Sequence, residues 1–289
     1  MIVEHPPADL LVVGALAVDR IGKTLVPGGS VLYAAEAAAA AGWRVDAIAT
    51  CGRDPVAAAG VARLRAAAVA VEAAIGRQTT TFAHRERGAE RVSRLLLRGD
   101  PIDPESPAVG RVTAAAPRAV LIAPISDEVS PALAERIADN APDATRVVAL
   151  QGWVRRVRVR RAVGTVALGE LEPRLRAVAA RLDAVVASEF DLGAERGSAA
   201  TRLARLREWC GPGPAVALTM GRRGALLDIG GGSHHVAPPR VIDGASTIGA
   251  GDVFAAILAV EMGAGSDVVA AATRAAAVVC ELLAARQAT

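Results

Sequence analysis

Aromatic residues are scarce in this sequence: they make up 2% of its 289 residues, although 52% of the residues are hydrophobic. Without many aromatic rings, the core has to be filled by Ala, Val, Leu and Ile, and alanine is a strong helix former. The chain is long enough for one large domain or two small ones. The composition therefore predicts a sizeable aliphatic core with many alanine-rich helices.

Cysteine is also rare and widely spaced. Cys51, Cys210 and Cys280 are odd in number, lie far apart, and form neither a Cys-x-x-Cys pair nor a Cys/His spacing typical of zinc sites. We therefore expect reduced thiols in a cytoplasmic protein, rather than a disulfide framework or a structural zinc site.

Neither a large excess of charge nor a long hydrophobic run is present. The formal net charge is +3, which does not favour a nucleic-acid partner. The N-terminus carries acids instead of a basic region, and the apolar runs 10–18 and 34–41 are too short to cross a bilayer. We expect a soluble, cytoplasmic protein without a membrane or nucleic-acid partner.

The segment RRVRVRR, residues 155–161, concentrates positive charge. On a strand, its side chains would alternate, with Arg156, Arg158 and Arg160 on one face. Nucleic-acid binding through such a strand is usually helped by stacking aromatic residues, and none lies beside these arginines. A solvated strand edge is therefore the preferred interpretation.

Short apolar runs alternate with alanine-rich amphipathic segments along the chain. The apolar runs have the length and composition of buried strands, and the segments between them have helical periodicity. The predicted strands include residues 10–18, 45–50, 119–124, 146–150, 183–188 and 215–220. This alternation predicts an α/β fold with a mostly parallel sheet covered on both faces.

Two segments break the alternation and are predicted as β-hairpins. Residues 79–97 contain two extended runs around RGAE and are suited to a flap over a cleft, and residues 224–237 turn at Gly230, Gly231 and Gly232. Neither an internal repeat nor a disordered linker is visible. We therefore expect a single domain over residues 1–289, with a small lid hairpin around 79–97.

The segment GASTIGAGDVFAA, residues 244–256, places Gly249, Ala250 and Gly251 before Asp252 at the start of an apolar helical segment. A helix N-terminus presents unpaired N–H groups and a partial positive charge, and small residues let an anion approach them. A carboxylate beside that anion can accept a proton from an attacking hydroxyl, as phosphoryl transfer requires. By local chemistry alone, a capped helix after a glycine-rich turn remains the alternative.

Four motifs, in order over nearly the whole chain, resemble signatures of the ribokinase, or PfkB-type, family of carbohydrate kinases. They are VVGALAVDRIG (12–22), the Gly-Gly pair with its helix and strand (27–55), ALTMGRRGALL (217–227) and STIGAGDVFAA (246–256). The resemblance implies a ribokinase-like three-layer α/β/α fold with a mostly parallel central sheet. It also implies a short-lid member with a reduced β lid, supplied mostly by 79–97, because only residues 20–27 separate Asp19 from Gly28.

The resemblance assigns the catalytic centre to the glycine-rich junction. Asp252 would be the catalytic base, and the amides of Gly249, Ala250 and Gly251 would form the anion hole for the γ-phosphate of ATP. In the family's potassium-activated members this region helps to bind a cation. Ser246 replaces the usual aspartate here, which puts potassium dependence in doubt.

The same resemblance places ATP against the segment 217–227. Thr219, Gly221 and Gly224 match the family's nucleotide loop, and the two glycines would let the loop pass close to a phosphate. Arg155, in a stretch similar to that of some short-lid members, could also approach the phosphates.

The family's Asn-x-x-Glu motif, which organises Mg²⁺ largely through waters, corresponds to ASEFD at 187–191. Ser188 would then contribute to the cofactor site, and Glu189 and Asp191 to the metal. These oxygen ligands are compatible with Mg²⁺. An ordinary helix N-cap is the alternative for Ser188 and Asp191.

The acceptor site would be formed by the two N-terminal motifs, residues 12–22 and 27–55. Asp19 matches the aspartate that binds substrate hydroxyls, and Gly28 and Gly29 match the pair that lets the substrate pack against backbone. Tyr33 stands where the family often has Asn, which suggests an acceptor unlike ribose. The alternatives are a surface acid for Asp19 and a core residue for Tyr33.

The resemblance thus implies an ATP-dependent kinase that acts on a hydroxyl of a small polyol: a sugar, a cyclitol or a nucleoside. We expect ATP and Mg²⁺ as cofactors, and a monomer or homodimer. The alternative is a catalytically inactive nucleotide- or sugar-binding regulatory protein of the same fold, motivated by the serines at 188 and 246. Asp252 argues against it, because a pure binder needs no base.

Overall fold

Strands and helices alternate in the computed structural model, which describes residues 7–87, 90–230 and 232–287. The strands are β1 (Leu10–Ala15), β2 (Ala17–Ile21), β3 (Thr24–Gly28), β4 (Val45–Cys51), β5 (Ala70–Ile75), β6 (Thr80–Arg87), β7 (Glu90–Leu97), β8 (Ala119–Ala123), β9 (Thr145–Ala149), β10 (Arg155–Arg156), β11 (Gly164–Thr165), β12 (Ala184–Ser188), β13 (Ala215–Thr219), β14 (Ala225–Asp228) and β15 (Ser233–Val236). The helices are α1 (Ser30–Ala40), α2 (Pro55–Ala66), α3 (Pro107–Ala114), α4 (Pro131–Asn140), α5 (Gln151–Val154), α6 (Pro173–Ala179), α7 (Ala199–Cys210), α8 (Ala250–Gly263) and α9 (Val268–Gln287).

A nine-stranded sheet runs through the centre in the order β15-β14-β13-β12-β9-β8-β1-β4-β5. From β13 to β5 all neighbouring strands are parallel, whereas β14 pairs antiparallel with both β13 and β15, so that β14 alone runs against the other strands of this sheet. Strands β1 and β8 are buried along their whole length, which is typical of parallel strands covered on both faces. The predicted α/β class with a mostly parallel sheet is confirmed.

Helices cover the sheet on both faces because successive side chains of a strand point in opposite directions. In β1, Leu10 and Val12 pack in a core cluster with α1, α2, α8 and α9. Leu11 and Val13 pack in a second cluster with α3, α4, α6 and α7. The three-layer arrangement implied by the family resemblance is therefore present.

A second, four-stranded sheet forms the lid, in the order β3-β2-β6-β7. The hairpin predicted at 79–97 is confirmed as β6 and β7, although residues 88 and 89 of its turn lie outside the described part of the chain. The structure shares the lid between this hairpin and a second one, β2–β3, that turns at Gly22 with φ of +62°. The short segment 20–27 is long enough to complete this second hairpin because β2 already begins at Ala17. Ala17 lies within residues 10–18, which the sequence predicted as one core strand.

The arginine segment differs from its prediction. Only Arg155 and Arg156 lie in a strand, the two-residue β10 paired with β11, and residues 157–161 form a loop. That loop follows the edge of β7, where the Leu95 amide donates to the Arg161 carbonyl at 3.2 Å. The alternating faces expected for Arg156, Arg158 and Arg160 are therefore wrong.

Helix α9 is apolar enough to need an explanation. Its length and its mean hydropathy of 1.8 would suffice to cross a membrane, and 28% of that apolar window is buried in the fold. The helix packs against α8, and its buried residues are Ala271, Ala272, Ala275, Ala276, Val278 and Cys280. Packing in the outer layer accounts for the buried apolar face, and the absence of a membrane partner stays a prediction.

Candidate active site

Helix α8 begins at a glycine that the surrounding structure requires. Gly249 precedes the helix in the left-handed region, with φ of +79°. A Cβ atom at this position would lie 2.3 Å from Cγ of Tyr33, so the tyrosine ring packs directly on the glycine. Asp252 follows in the first turn of the helix. The junction predicted from the sequence is therefore a helix N-terminus that touches Tyr33.

The amides of this turn are not equivalent. The amide of Ala250 donates to the carbonyl of Thr247 at 3.1 Å, which closes the turn before the helix. The Gly249 carbonyl accepts from the amide of Val253 at 3.0 Å, as expected for the first turn. Of the three predicted anion-hole donors, Ala250 is thus the one already used by the local backbone.

Asp19 lies in β2 of the lid, and its carboxylate contacts Tyr33. Its side chain is buried, at 4% relative exposure for the residue, so the alternative of a surface acid is wrong. The Tyr33 hydroxyl donates to its Oδ2 at 3.5 Å, and Nε2 of His84 lies 2.9 Å from its Oδ1. The structure therefore brings Asp19 and Tyr33 together, as predicted, and adds His84 to them.

His84 was not predicted as a site residue from the sequence. This residue lies on β6, in register with Ile21 of β2, and its Nδ1 is 2.9 Å from the Ser93 hydroxyl of β7. Alternation along the predicted hairpin puts Phe82 and His84 on one face, but the sequence does not say which face lies over the cleft. Pairing of β2 with β6 decides this.

Tyr33 connects the two ends of the site. Burial, together with the negative charges of Asp19 and Asp252, raises the pKa of its phenol to about 12, so the hydroxyl stays protonated at neutral pH. Asp252 follows Gly249, on which the Tyr33 ring packs, by three residues in the first turn of α8. The ring also packs against the core of the α1 layer, as its alternative role as a core residue requires.

The paired glycines at the end of β3 have a packing reason. A Cβ at Gly28 would lie 2.1 Å from Oδ2 of Asp19, and one at Gly29 would lie 2.4 Å from the carbonyl oxygen of Ala15. Gly29 also has φ of +98°, which favours glycine. These residues let α1 start directly beneath the lid and leave the Asp19 carboxylate in place.

At the ends of β12 and β13, the predicted cofactor residues are engaged with one another. Ser188 donates to Asp191 at 2.6 Å, and the Asp191 amide donates back to the Ser188 hydroxyl at 3.2 Å, which is the local capping arrangement. Glu189 forms an ion pair with Arg223. Ser188 is in register with Thr219 of β13. Among the residues that the structure describes, no group of three or more His, Cys, Asp or Glu is arranged to hold a metal ion.

The two glycines of the predicted nucleotide loop differ in their surroundings. Gly221 has φ of +58° and open space where a Cβ would lie, as expected for a backbone that a phosphate approaches. Gly224 has φ of +81°, and a Cβ there would be 2.0 Å from the Val236 carbonyl, so packing against β15 requires this glycine.

A cleft of about 700 Å³ opens beside this loop. Its walls combine apolar residues, among them Met220, Leu226, Pro238 and Val241, with the basic residues Arg222, Arg223, His235 and Arg240. The chain runs from this cleft through residues 243–248 to Gly249, so the cleft and the helix N-terminus are joined by one short segment. The cleft therefore lies only a few residues along the chain from the start of α8.

Arg155 lies on the lid side. It donates to the carbonyl of Ile125 at 3.0 Å, and its guanidinium is 5.6 Å from the centre of the Phe82 ring. Phe82 is in register with Asp19 across β2 and β6. These two contacts of Arg155 therefore lie on the lid side of the site, and its approach to the phosphates stays a prediction.

Solved structures resemble this fold over nearly the whole chain. A pyrophosphate-dependent kinase in the ribokinase family, complexed with a pyrophosphate analog and myo-inositol, aligns with a TM-score of 0.77 at 18% identity, covering 95% of each chain. Adenosine kinase from Schistosoma mansoni with 2-fluoroadenosine has a TM-score of 0.75 at 14% identity, covering 96% of each chain. Arabidopsis thaliana ribokinase with ribose and ATP has a TM-score of 0.69 at 16% identity, covering 93% of this chain and 90% of the ribokinase.

At these identities the structural likeness establishes the fold, and the sequence itself establishes the family. No curated protein sequence matches the chain. The sequence profile of the pfkB family carbohydrate kinases matches residues 124–288, which is more than half of the chain and includes the nucleotide loop and the start of α8. The protein is therefore a kinase with the ribokinase-like fold, and it belongs to the pfkB family of carbohydrate kinases.

Proposed function

We propose that the protein transfers the γ-phosphoryl group of ATP, with Mg²⁺, to a hydroxyl of a small sugar, cyclitol or nucleoside. The observation that carries this proposal is the convergence of Asp19, Tyr33, Gly249 and Asp252. The tyrosine ring packs on Gly249, its hydroxyl binds Asp19, and the charge of Asp252 acts on its phenol. Groups for the acceptor and for the transferred phosphoryl group thus share one cleft.

In this proposal Asp252 accepts the proton of the acceptor hydroxyl while the hydroxyl oxygen attacks the γ-phosphorus. The amides of Gly249 and Gly251 stabilise the charge on the phosphoryl oxygens, and the Ala250 amide, already bound to Thr247, contributes least. Such catalysis consists mainly of positioning and electrostatic stabilisation. The phosphoryl–oxygen bond to ADP breaks as the new bond to the acceptor forms.

The donor is assigned to ATP because of the apolar cleft beside the nucleotide loop. Its volume of about 700 Å³ and its aliphatic walls suit a nucleotide base. Pyrophosphate, the donor named for three of the structural neighbours, would leave these apolar walls without a ligand. The cleft therefore favours a nucleotide donor for this chain.

The residues that would serve Mg²⁺ are oxygen donors that are already hydrogen-bonded. Asp191 is bound to Ser188 and Glu189 to Arg223, so they fit contacts made through water rather than a dedicated protein cage. Mg²⁺ commonly keeps several waters and binds substrate phosphates in such sites. When bound, the ion would neutralise charge on the phosphates of the donor.

The acceptor is held by polar groups of the lid and of α1. Asp19 is a hydrogen-bond acceptor for substrate hydroxyls, and its two oxygens are oriented by His84 and Tyr33. A carboxylate held in this way can bind two neighbouring hydroxyls, which small polyols provide. This is the basis for proposing a sugar, a cyclitol or a nucleoside ribose as the acceptor.

A panel of sugars, cyclitols and nucleosides, each offered with Mg-ATP and separately with pyrophosphate, tests the proposal. We expect at least one acceptor to stimulate ADP formation. Turnover with pyrophosphate alone would refute the donor assignment. Tight ATP binding without turnover of any acceptor would favour the inactive regulatory protein instead.

Removing the imidazole of His84 is expected to weaken acceptor binding. His84→Ala leaves one oxygen of Asp19 without its partner, and a lost hydrogen bond to a charged group costs on the order of 1.5–3 kcal/mol. We expect the acceptor KM to rise about tenfold or more, with a smaller change in kcat. His84→Gln, which keeps a donor, should recover part of the loss.

Arg85 provides the control because it is the next residue of β6 and is exposed. Arg85→Gln should leave the acceptor KM within about twofold of wild type, since exposed substitutions have small effects. Equal KM values for His84→Ala and wild type would remove His84 from the acceptor site.

A further inference from the structure

The last turn of α9 reaches the loop that precedes the proposed anion hole. Nη1 of Arg286 donates to the carbonyl of Ser246 at 3.0 Å and to that of Ile248 at 2.6 Å. The guanidinium also lies 5.6 Å from the centre of the Tyr33 ring. One side chain therefore contacts both the loop before Gly249 and the ring that packs on Gly249.

We propose that Arg286 is a positioning residue for phosphoryl transfer: it fixes residues 246–249 so that the Gly249 amide faces the transferred phosphoryl group. This inference rests on the proposed function. The sequence motifs gave no indication of this role for Arg286, because the residue lies more than thirty residues after Asp252 in an alanine-rich helix.

Peptide geometry provides the mechanism. In a trans peptide, the carbonyl and the following N–H point in opposite directions, and the bond between Ile248 and Gly249 is trans. Because the Ile248 carbonyl points at Arg286, the Gly249 amide points away from Arg286. Rotation of the Ile248–Gly249 peptide plane would turn the Gly249 amide toward Arg286. The hydrogen bond from the guanidinium to the Ile248 carbonyl opposes this rotation.

The charge of Arg286 makes this restraint stronger than a neutral contact. Hydrogen bonds from an ionised donor are roughly twice as strong as neutral ones. The side chain is half-buried, and burial lowers the pKa of its guanidinium, but arginine keeps its charge in proteins. Ser246 and Thr247 are exposed, so the loop has little packing of its own to hold it.

Arg286→Ala tests the proposal with Gln287→Ala as a matched control. Gln287 lies one residue further on and also donates to a carbonyl of this loop, that of Asp243, at 2.9 Å. We expect kcat to fall about 10²-fold in Arg286→Ala, the order of an anion-hole defect. We expect the acceptor KM to change little and Gln287→Ala to stay within about twofold of wild type. Millimolar guanidinium should restore part of the kcat of Arg286→Ala.

A second measurement does not need turnover. Tyr33 is the only tyrosine of the chain, so isotope-labelled tyrosine gives a single ring signal in the NMR spectrum. Titration with inorganic phosphate is expected to shift this signal in wild type and Gln287→Ala, and to require about tenfold more phosphate in Arg286→Ala. This readout still tests Arg286 if no acceptor for the proposed kinase activity is found.

Two results would overturn the proposal. One is a kcat and phosphate affinity of Arg286→Ala equal to those of Gln287→Ala. The other is a loss of activity in Arg286→Ala that guanidinium does not restore, accompanied by an unchanged phosphate titration. Either would show that Arg286 only stabilises the end of α9.

Discussion

Asp252→Asn is expected to lower kcat by about 10³-fold, within the range that a positioned general base contributes. Asparagine has nearly the same shape but cannot take the proton of the attacking hydroxyl. Its neutral side chain also removes a negative charge next to the transferred phosphoryl group, so ATP should bind at least as tightly as in wild type. Measuring kcat by ADP release and ATP affinity by calorimetry separates the two effects.

Asp267 is the matched control for Asp252. It lies at the start of the next helix, α9, where its carboxylate accepts from the amide of Ala270 at 2.8 Å. Asp267→Asn also neutralises an acid at a helix N-terminus, and we expect a kcat within about twofold of wild type. If Asp252→Asn turned over at the wild-type rate, the assignment of Asp252 as the base would be wrong.

Gly249→Ala is expected to lower kcat by a smaller factor, through a steric route. The added Cβ would lie 2.3 Å from Cγ of Tyr33, so either the ring or the start of α8 has to move. Both belong to the proposed site, and a displacement of about 1 Å in such a site can reduce the rate about 10²-fold. We therefore expect kcat to fall by about that factor, as measured with the best acceptor.

Substitution of Gly244 separates the energetic cost of alanine at a positive φ from the effect of the steric clash with Tyr33. It also has φ of +79°, five positions earlier in the same loop, and no atom lies within 4 Å of the place where its Cβ would be. Alanine in the left-handed region costs about 1–2 kcal/mol at either position. Gly244→Ala should lower the Tm by a few degrees and retain near-wild-type kcat.

A double variant identifies the colliding partner. Gly249→Ala with Tyr33→Ala should be less destabilised than the sum of the two single changes, because the ring that meets the new Cβ is gone. Strict additivity of the two losses, or equal kcat values for Gly249→Ala and Gly244→Ala, would contradict a site built on contact between Tyr33 and Gly249.

Much of the fold could be predicted because its signals are local. Buried parallel strands are continuous apolar runs, and helices are alanine-rich and periodic, so the α/β class follows from the sequence. Local chemistry likewise explains the start of α2, where the side chain of Asp54 caps the helix and accepts from the Ala57 amide at 2.9 Å. The start of α8 was predicted for the same reason.

The lid sheet as a whole could not be predicted from local sequence signals alone. Residues 10–18 are apolar throughout, so they look like one core strand, yet β1 ends at Ala15 and β2 pairs with β3 and β6 in another sheet. A change of sheet is decided by which strands are available for pairing, and those strands come from elsewhere in the chain. Asp19 is buried in this second sheet, and His84 faces Asp19 for the same reason.

The sequence by itself determined the α/β class, the helix that begins in small residues, and the acid in its first turn, because each depends on neighbours within a few positions. Only the tertiary structure decided that Tyr33 packs on Gly249 and that His84 and Tyr33 orient Asp19. These contacts depend on strand order and on which faces of the elements meet. No local periodicity encodes either of them.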